Sequence, residues 1–224
     1  MDSRSRPLLT SDQALLRSAA TLPPKSASSS TMPDRVKSTA RPHNRIFDPA
    51  ALTPGTCKIN SAIMVQLLIV YHSRTGGSRQ MAEAAFAAAR AEVGSTLKLA
   101  VDAEPGDLLA ADGYIFCAPE NLAAISGIMK DFFDRCYYPV LGRIEGRPYA
   151  QMVCAGSDGE NAARQTARIA KGWRLREVQE PLIICTEAQT PEEILAPKTI
   201  SDDKLKSCRE LGTAMGMGLS LGVF

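Results

Sequence analysis

Apolar and polar positions change rhythm at Met64. Val65-Gln-Leu-Leu-Ile-Val-Tyr71 is a short, nearly continuous apolar run, as a strand buried on both faces requires. His72-Ser-Arg-Thr-Gly-Gly-Ser78 is a polar, glycine-containing turn. Arg79 to about Val93 is alanine-rich and helix-favouring, with Gly94 as its stop. Residues 97–101 predict a second strand, residues 105–110 a short turn or helix, and residues 114–118 a third strand. Ile125, Ile128, Met129, Phe132, Phe133 and Cys136 then recur on one face of a helix. Lys130/Asp134 and Asp131/Arg135 are i,i+4 pairs on its polar side, and Pro139 marks its end. Residues 149–155 predict a fourth strand, 156–159 a loop, 160–172 a helix and 181–186 a fifth strand. A loop with two prolines covers 187–200, and Ser201 caps a last helix whose first turn holds Asp202 and Asp203.

Strands that alternate with helices imply parallel pairing, right-handed crossovers and helices on both faces. Residues 64–224 therefore predict an α/β fold: a three-layer, doubly wound, five-stranded parallel sheet of order 2-1-3-4-5. Such sheets bind ligands beyond the carboxyl ends of their strands, at the switch point between strands one and three. The loops that matter are 72–78, 119–125 and 155–161.

Residues 1–63 read differently. They are rich in Ser, Pro and Arg, lack a sustained apolar period, and are expected to be disordered. A translated upstream stretch, an acid-poor transit peptide and a regulatory tail all suit this composition. The first is preferred, because Met64 stands directly before the first strand. The formal net charge of +2 conceals an uneven distribution: nine basic and four acidic residues give +5 over 1–63, leaving −3 over 64–224. A mildly acidic domain gives no case for nucleic-acid binding. No apolar run approaches the roughly 18 residues of a membrane span. Cys57, Cys117, Cys136, Cys154, Cys185 and Cys208 form no CxxC pair, and three of them sit inside strand-like runs. They read as reduced core thiols in a reducing compartment, hence a cytoplasmic protein.

The first loop carries the chemistry. Ser73, Thr75 and Ser78 offer hydroxyls, Gly76 and Gly77 let the backbone approach a ligand, and backbone amides at a helix start bind anions. An ordinary strand–helix turn has a similar composition, so the loop alone leaves both readings open. A P-loop would need Gly-Lys-Ser/Thr, whereas Gly77 precedes Ser78 and Arg79. GxGxxG is absent after the first strand. The hydroxyls, with Arg74 the one nearby cation, suit a single phosphate monoester. His72 reads as a solvated loop residue and Cys117 as a buried thiol.

Ser73-Arg-Thr-Gly-Gly-Ser78 resembles the flavodoxin FMN-phosphate signature. Residues 117–122, followed by Ile125-Ser-Gly-Ile-Met-Lys-Asp-Phe-Phe-Asp-Arg135, resemble the flavin loop and helix of flavodoxin-like NAD(P)H-dependent FMN and quinone reductases. The resemblance implies that Ser73, Arg74, Thr75, Gly76, Gly77 and Ser78 hold an FMN phosphate. It implies that Pro119, Glu120, Asn121, Leu122 and Ala123 line the isoalloxazine, and that Ala155, Gly156, Ser157, Asp158 and Gly159 form a third wall. No aromatic occurs in 119–125 or 155–161, unlike many flavodoxins. One flavin face is then open to a substrate or covered by another subunit of a homo-oligomer.

The resemblance points to an FMN-dependent oxidoreductase that passes electrons from NAD(P)H to a quinone, a flavin or a similar small acceptor. A flavodoxin-type carrier without NAD(P)H activity is the alternative. The −3 charge and the basic run Arg164, Arg168, Lys171, Arg174 and Arg176 argue against the acidic docking surface of a carrier. No side chain is needed as an acid or base. A receiver domain would place acidic residues after strand one and an Asp at the end of strand three, where His72-Ser73 and Ala118-Pro119 stand.

Overall fold

The computed structural model describes residues 65–224; the segment 1–63, and the disorder expected of it, lie outside the described residues. The elements are β1 (Gln66–Tyr71), α1 (Gly77–Ala89), β2 (Gly94–Leu99), α2 (Pro105–Ala110), β3 (Gly113–Asn121), β4 (Ala124–Ile125), α3 (Gly127–Val140), β5 (Pro148–Ala155), α4 (Glu160–Gly172), β6 (Arg176–Glu177), β7 (Leu182–Cys185), α5 (Pro191–Leu195) and α6 (Asp202–Ser220). Strands β2, β1, β3 and β5 lie side by side in parallel. The fifth position is broken in two: β6 pairs with the start of β5 and β7 with its end, both in parallel. The predicted order thus holds, with the last strand split.

Successive side chains of a strand face opposite sides, and β1 shows the consequence. Leu67 and Ile69 pack with Met81, Ala85, Leu211 and Met215 of α1 and α6. Leu68 and Val70 join the opposite core with Phe116, Phe132, Phe133 and Trp173. The single tryptophan is fully buried and stacks on Tyr137 at 5.9 Å.

Several boundaries differ from expectation. Helix α1 ends at Ala89 and a turn follows, so Gly94 opens β2 instead of stopping the helix. Helix α3 runs through Pro139 to Val140; a proline in the last turn removes a single amide donor, and Leu141 N instead bonds Tyr138 O at 3.3 Å. Ile125 precedes α3 and Ile128 is 46 % exposed, so the buried face is Met129, Phe132, Phe133 and Cys136. The i,i+4 pairs form as expected: Lys130 with Asp134 and Arg135 with Asp131. Ser201 occupies the N-cap of α6, but its side chain makes no capping bond.

Two departures matter for the site. Strand β3 continues to Asn121 and pairs antiparallel with β4, so 119–125 is a hairpin and not an open loop. The stretch 187–200 contains α5, held by a reciprocal cap: Glu193 N donates to Thr190 Oγ1 (3.3 Å), and Thr190 N donates to Glu193 Oε2 (3.1 Å). That S/T-x-x-E pattern is visible in the sequence.

Candidate functional site

A cleft of 510 Å³ opens at the carboxyl ends of β1, β3 and β5, the switch point of the sheet. Its first wall is Ser73, Arg74, Thr75 and Ser78. Ser73 Oγ accepts from Gly76 N (3.1 Å) and fixes the turn, while Gly76 stands at φ 94 as the N-cap of α1. The first turn of a helix leaves its amides without intrahelical acceptors. Ser78 lies in that turn, and its Oγ is buried without a hydrogen-bond partner among the described residues.

The hairpin forms the second wall, through Pro119, Glu120, Asn121, Leu122 and Ala123. Leu122 and Ala123 occupy its two-residue turn at φ 52 and 57, a left-handed conformation that costs each about 1–2 kcal/mol and that asparagine and glycine usually fill. Leu122 is wholly exposed at the mouth of the cleft. Glu120 ties this wall to the next: its Oε2 accepts from Gly159 N (2.9 Å). Its other oxygen, Oε1, is buried and unpaired among the described residues.

The third wall is Cys154, Ala155, Gly156 and Ser157. Gly76, Gly77, Asp158 and Gly159 do not line this cleft, although each was expected at the site. Gly76 lines a smaller neighbouring cavity. Gly77 makes room for Cys154, because a Cβ there would stand 2.5 Å from the Cys154 Sγ. Asp158 turns away, accepting from Glu160 N at 3.3 Å. Gly159, at φ 92, acts through its bond to Glu120.

Sequence reasoning missed a fourth wall: Thr186, Ala188, Ile194, Leu195 and Lys198. Lys198 N donates to Thr75 O at 2.7 Å. The Gln80 amide bridges Gly76 O (3.0 Å) and Lys198 O (2.6 Å), and Ile200 N donates back to Gln80 Oε1 (3.1 Å). The Lys198 ammonium closes the carboxyl end of α5, donating to Ala196 O (2.9 Å), Ile194 O (3.2 Å) and Glu193 O. The segment after β7 therefore fastens onto the first loop.

His72 is not solvated as expected. It is half-buried, and its Nδ1 lies 2.9 Å from the Oγ of fully buried Ser126. Burial, with Arg74 nearby, lowers its pKa, so the neutral ring is favoured. Burial pushes the Cys154 thiol up to about 11, and the Cys117 thiol well above its ordinary range. Neither is a thiolate nucleophile at neutral pH. The arrangement provides hydroxyls and amides for an anion at one end and an acceptor carboxylate at the other, between aliphatic walls with no aromatic.

This is the flavodoxin-like fold. Residues 105–189 match the family described as NADPH-dependent FMN reductase. A flavodoxin of Aquifex aeolicus (strain VF5) is 35% identical over 96 residues, 42% of this chain and 50% of that one, so the match spans half of that relative's length. An archaeal flavodoxin superposes with a TM-score of 0.57 at 17% identity, covering 69% of this chain and 99% of its own. The WrbA-like flavodoxin of Agrobacterium tumefaciens gives 0.50 at 23% identity, over 68% and 95% of the two chains. The chain is thus similar both to FMN reductases and to flavodoxins. No helix among the described residues is long and apolar enough to cross a membrane.

Proposed function

We propose that the cleft binds FMN and that the protein is an FMN-dependent oxidoreductase that takes hydride from NAD(P)H and reduces a quinone, a flavin or a similar small acceptor. The carrying observation is the pair of unpaired buried polar atoms in the cleft, Ser78 Oγ and Glu120 Oε1. Buried polar groups are almost always paired, so each fits a ligand group: a phosphate oxygen for the hydroxyl, a ring N–H for the carboxylate. A phosphorylated isoalloxazine carries both, and 510 Å³ is room for it.

FMN, when bound, supplies reversible two-electron chemistry with nicotinamide and acceptor. The chain's part is to hold and orient. In this reading Ser73, Thr75, Ser78 and the first amides of α1 receive the phosphate, with Arg74 adding charge from the rim. The strained hairpin would present its 119–123 backbone to the ring, and the unpaired Glu120 Oε1 would accept from a ring N–H. Because the cleft lining contains no aromatic residue, its aliphatic walls would leave room for a nicotinamide beside bound FMN, which would supply the hydride chemistry. The same open side in a homo-oligomer can meet a second subunit. The reading places the function in residues 64–224, in the cytoplasm, with no nucleic-acid or membrane partner.

The similarity to a flavodoxin supports a second reading, an electron carrier with no nucleotide activity of its own. Stopped-flow mixing of the FMN-loaded protein with NADH or NADPH under anaerobic conditions separates the two. Rapid loss of the oxidised flavin absorbance supports the reductase. Reduction only by a separate flavodoxin reductase supports the carrier.

A further inference from the structure

Helix α4 carries a run of positive charge with little to balance it. Arg164, Arg168 and Lys171 recur at i, i+4 and i+7, so they share one face of the helix, and all three are exposed. Arg174 and Arg176 follow, also exposed. Residues 160–176 hold five basic residues and one acidic, Glu160, for a charge of +4; the rest of 64–224 holds twelve basic and nineteen acidic, for −7. Of the five cations only Arg174 has an acidic partner among the described residues, Glu145 at 2.8 Å. On α6, by contrast, Lys206 pairs with Glu210 and Arg209 with Asp202. The stripe starts at the cleft. Arg164 Nη2 donates to Asn161 Oδ1 (2.7 Å), and Asn161 Nδ2 donates to Ala123 O in the second wall. Gln165 Oε1 accepts from Ile125 N (3.0 Å), so the hairpin is fastened to the first two turns of α4. At a rise of about 1.5 Å per residue, the three cations of the helix then extend about 10 Å away from it. Leu122, wholly exposed in the hairpin turn, sets an apolar tip at the upper end of the stripe.

We propose that this face docks an acidic electron-transfer protein beside the cleft, resting on the reading of that cleft as the FMN site. Unpaired cations in a row attract an opposing acidic patch and orient it, and an apolar tip with a charged rim is the anatomy of a transient protein interface. The charge elsewhere on the domain selects the size of the partner. An extended polyanion, a membrane surface or a nucleic-acid duplex, would reach past the +4 face and meet the −7 remainder. A small globular protein with a local acidic patch meets the face alone. The electrons balance: FMN reduced by hydride from NAD(P)H gives one electron to each of two oxidised partner molecules. Its two protons, one delivered with the hydride and one taken from water, return to water.

Calorimetric titration of the FMN-loaded protein with an acidic [2Fe–2S] ferredoxin as the probe, at low ionic strength, should be made on the wild type and two triple variants. One is Arg164→Gln/Arg168→Gln/Lys171→Gln. The other, Lys204→Gln/Lys206→Gln/Arg209→Gln, removes the same charge from α6, which packs on the opposite face of the sheet. Wild type and the α6 variant should bind the ferredoxin within about twofold of each other, and the α4 variant on the order of tenfold more weakly, the loss expected of three exposed ion pairs. Raising the ionic strength from about 0.02 M to about 0.2 M should remove most of the wild-type binding. FMN affinity of the α4 variant should be unchanged, since none of the three residues lines the cleft. Equal affinity of wild type and the α4 variant, equal losses in both variants, or no ferredoxin binding by the FMN-loaded wild type overturns the docking face and leaves the FMN site standing. Tighter binding of phosphatidylserine vesicles or duplex DNA than of ferredoxin, lost in the α4 variant, overturns the acidic protein in favour of that polyanion. Failure of the wild type to bind FMN at all overturns the proposed function instead.

Discussion

Gly77 occupies the first position of α1, and replacing it with alanine would ordinarily help, since an alanine in a helix is favoured over glycine by about 0.5–1 kcal/mol. Here the sign should reverse. The added Cβ would stand 2.5 Å from Cys154 Sγ, well inside ordinary contact, with Lys198 Cβ at 3.6 Å and Ile200 Cδ1 at 3.7 Å on its other sides. Loop or sulfur must move by roughly 1 Å, and overpacking of this kind costs about 1–3 kcal/mol. Net destabilisation of Gly77→Ala should be about 1–2 kcal/mol, or roughly 2–8 °C in Tm for a domain of this size. Cys154→Ala removes the obstructing atom. Alone it leaves a small void and costs about 1 kcal/mol; combined with Gly77→Ala it should restore stability close to wild type. The cycle should therefore show a favourable coupling of about 1–3 kcal/mol in urea unfolding. The loop proposed to present amides to a phosphate is then seated on the end of β5 through this one sulfur. Additive effects of the two substitutions, or a Gly77→Ala variant as stable as wild type, would refute the close approach.

Ser78→Ala removes a buried unpaired hydroxyl, so the apoprotein should unfold at the same or a higher urea concentration while FMN affinity falls on the order of tenfold; a loss of apoprotein stability instead would show that Ser78 Oγ has a protein partner. Thr75→Asp places an anion beside the phosphate and should weaken FMN strongly with Tm retained, as read by fluorescence titration; unchanged affinity would remove residues 73–78 from the site. Glu120→Gln keeps the shape but exchanges an acceptor oxygen for a donor, so it should weaken FMN several-fold, and a flavin methylated at the ring N–H should no longer distinguish variant from wild type. His72 titrates below its ordinary value of 6.5 in the folded protein, so the unfolded chain binds the extra proton first; its contribution is complete above about pH 6.5 and is lost as pH falls through the lower folded value. His72→Gln should accordingly flatten the decline of Tm between about pH 7 and 5, and an unchanged slope would exclude His72 as its source.

Legibility from sequence followed how local each signal is. The parallel strands were visible because burial on both faces demands continuous apolar runs, and Val65–Tyr71 and Tyr149–Ala155 are such runs. That the first loop and the 119–123 segment line a cleft was legible because clefts in such sheets open at the carboxyl ends of the strands. The split of the fifth strand was not, since Arg176–Glu177 is charged and exposed and lacks the apolar run of a buried strand. The hairpin was hidden because its turn uses Leu122 and Ala123 at positive φ, against the usual residue preference. Such local misfits concentrate at functional sites. The wall at 186–198 was missed because two prolines suggested a loop, although Thr190 and Glu193 spell a helix cap. His72 looked solvated because its partner, Ser126, lies 54 positions along the chain.

The most direct test of the central claim is anaerobic titration of the FMN-loaded protein with NADH and with NADPH, followed by a quinone or free flavin. The account predicts that at least one nucleotide bleaches the oxidised flavin band directly to the two-electron-reduced form, and that the acceptor restores it over repeated cycles. Bound flavin that neither nucleotide reduces, but that a flavodoxin reductase does, would contradict the reductase and leave an electron carrier in its place.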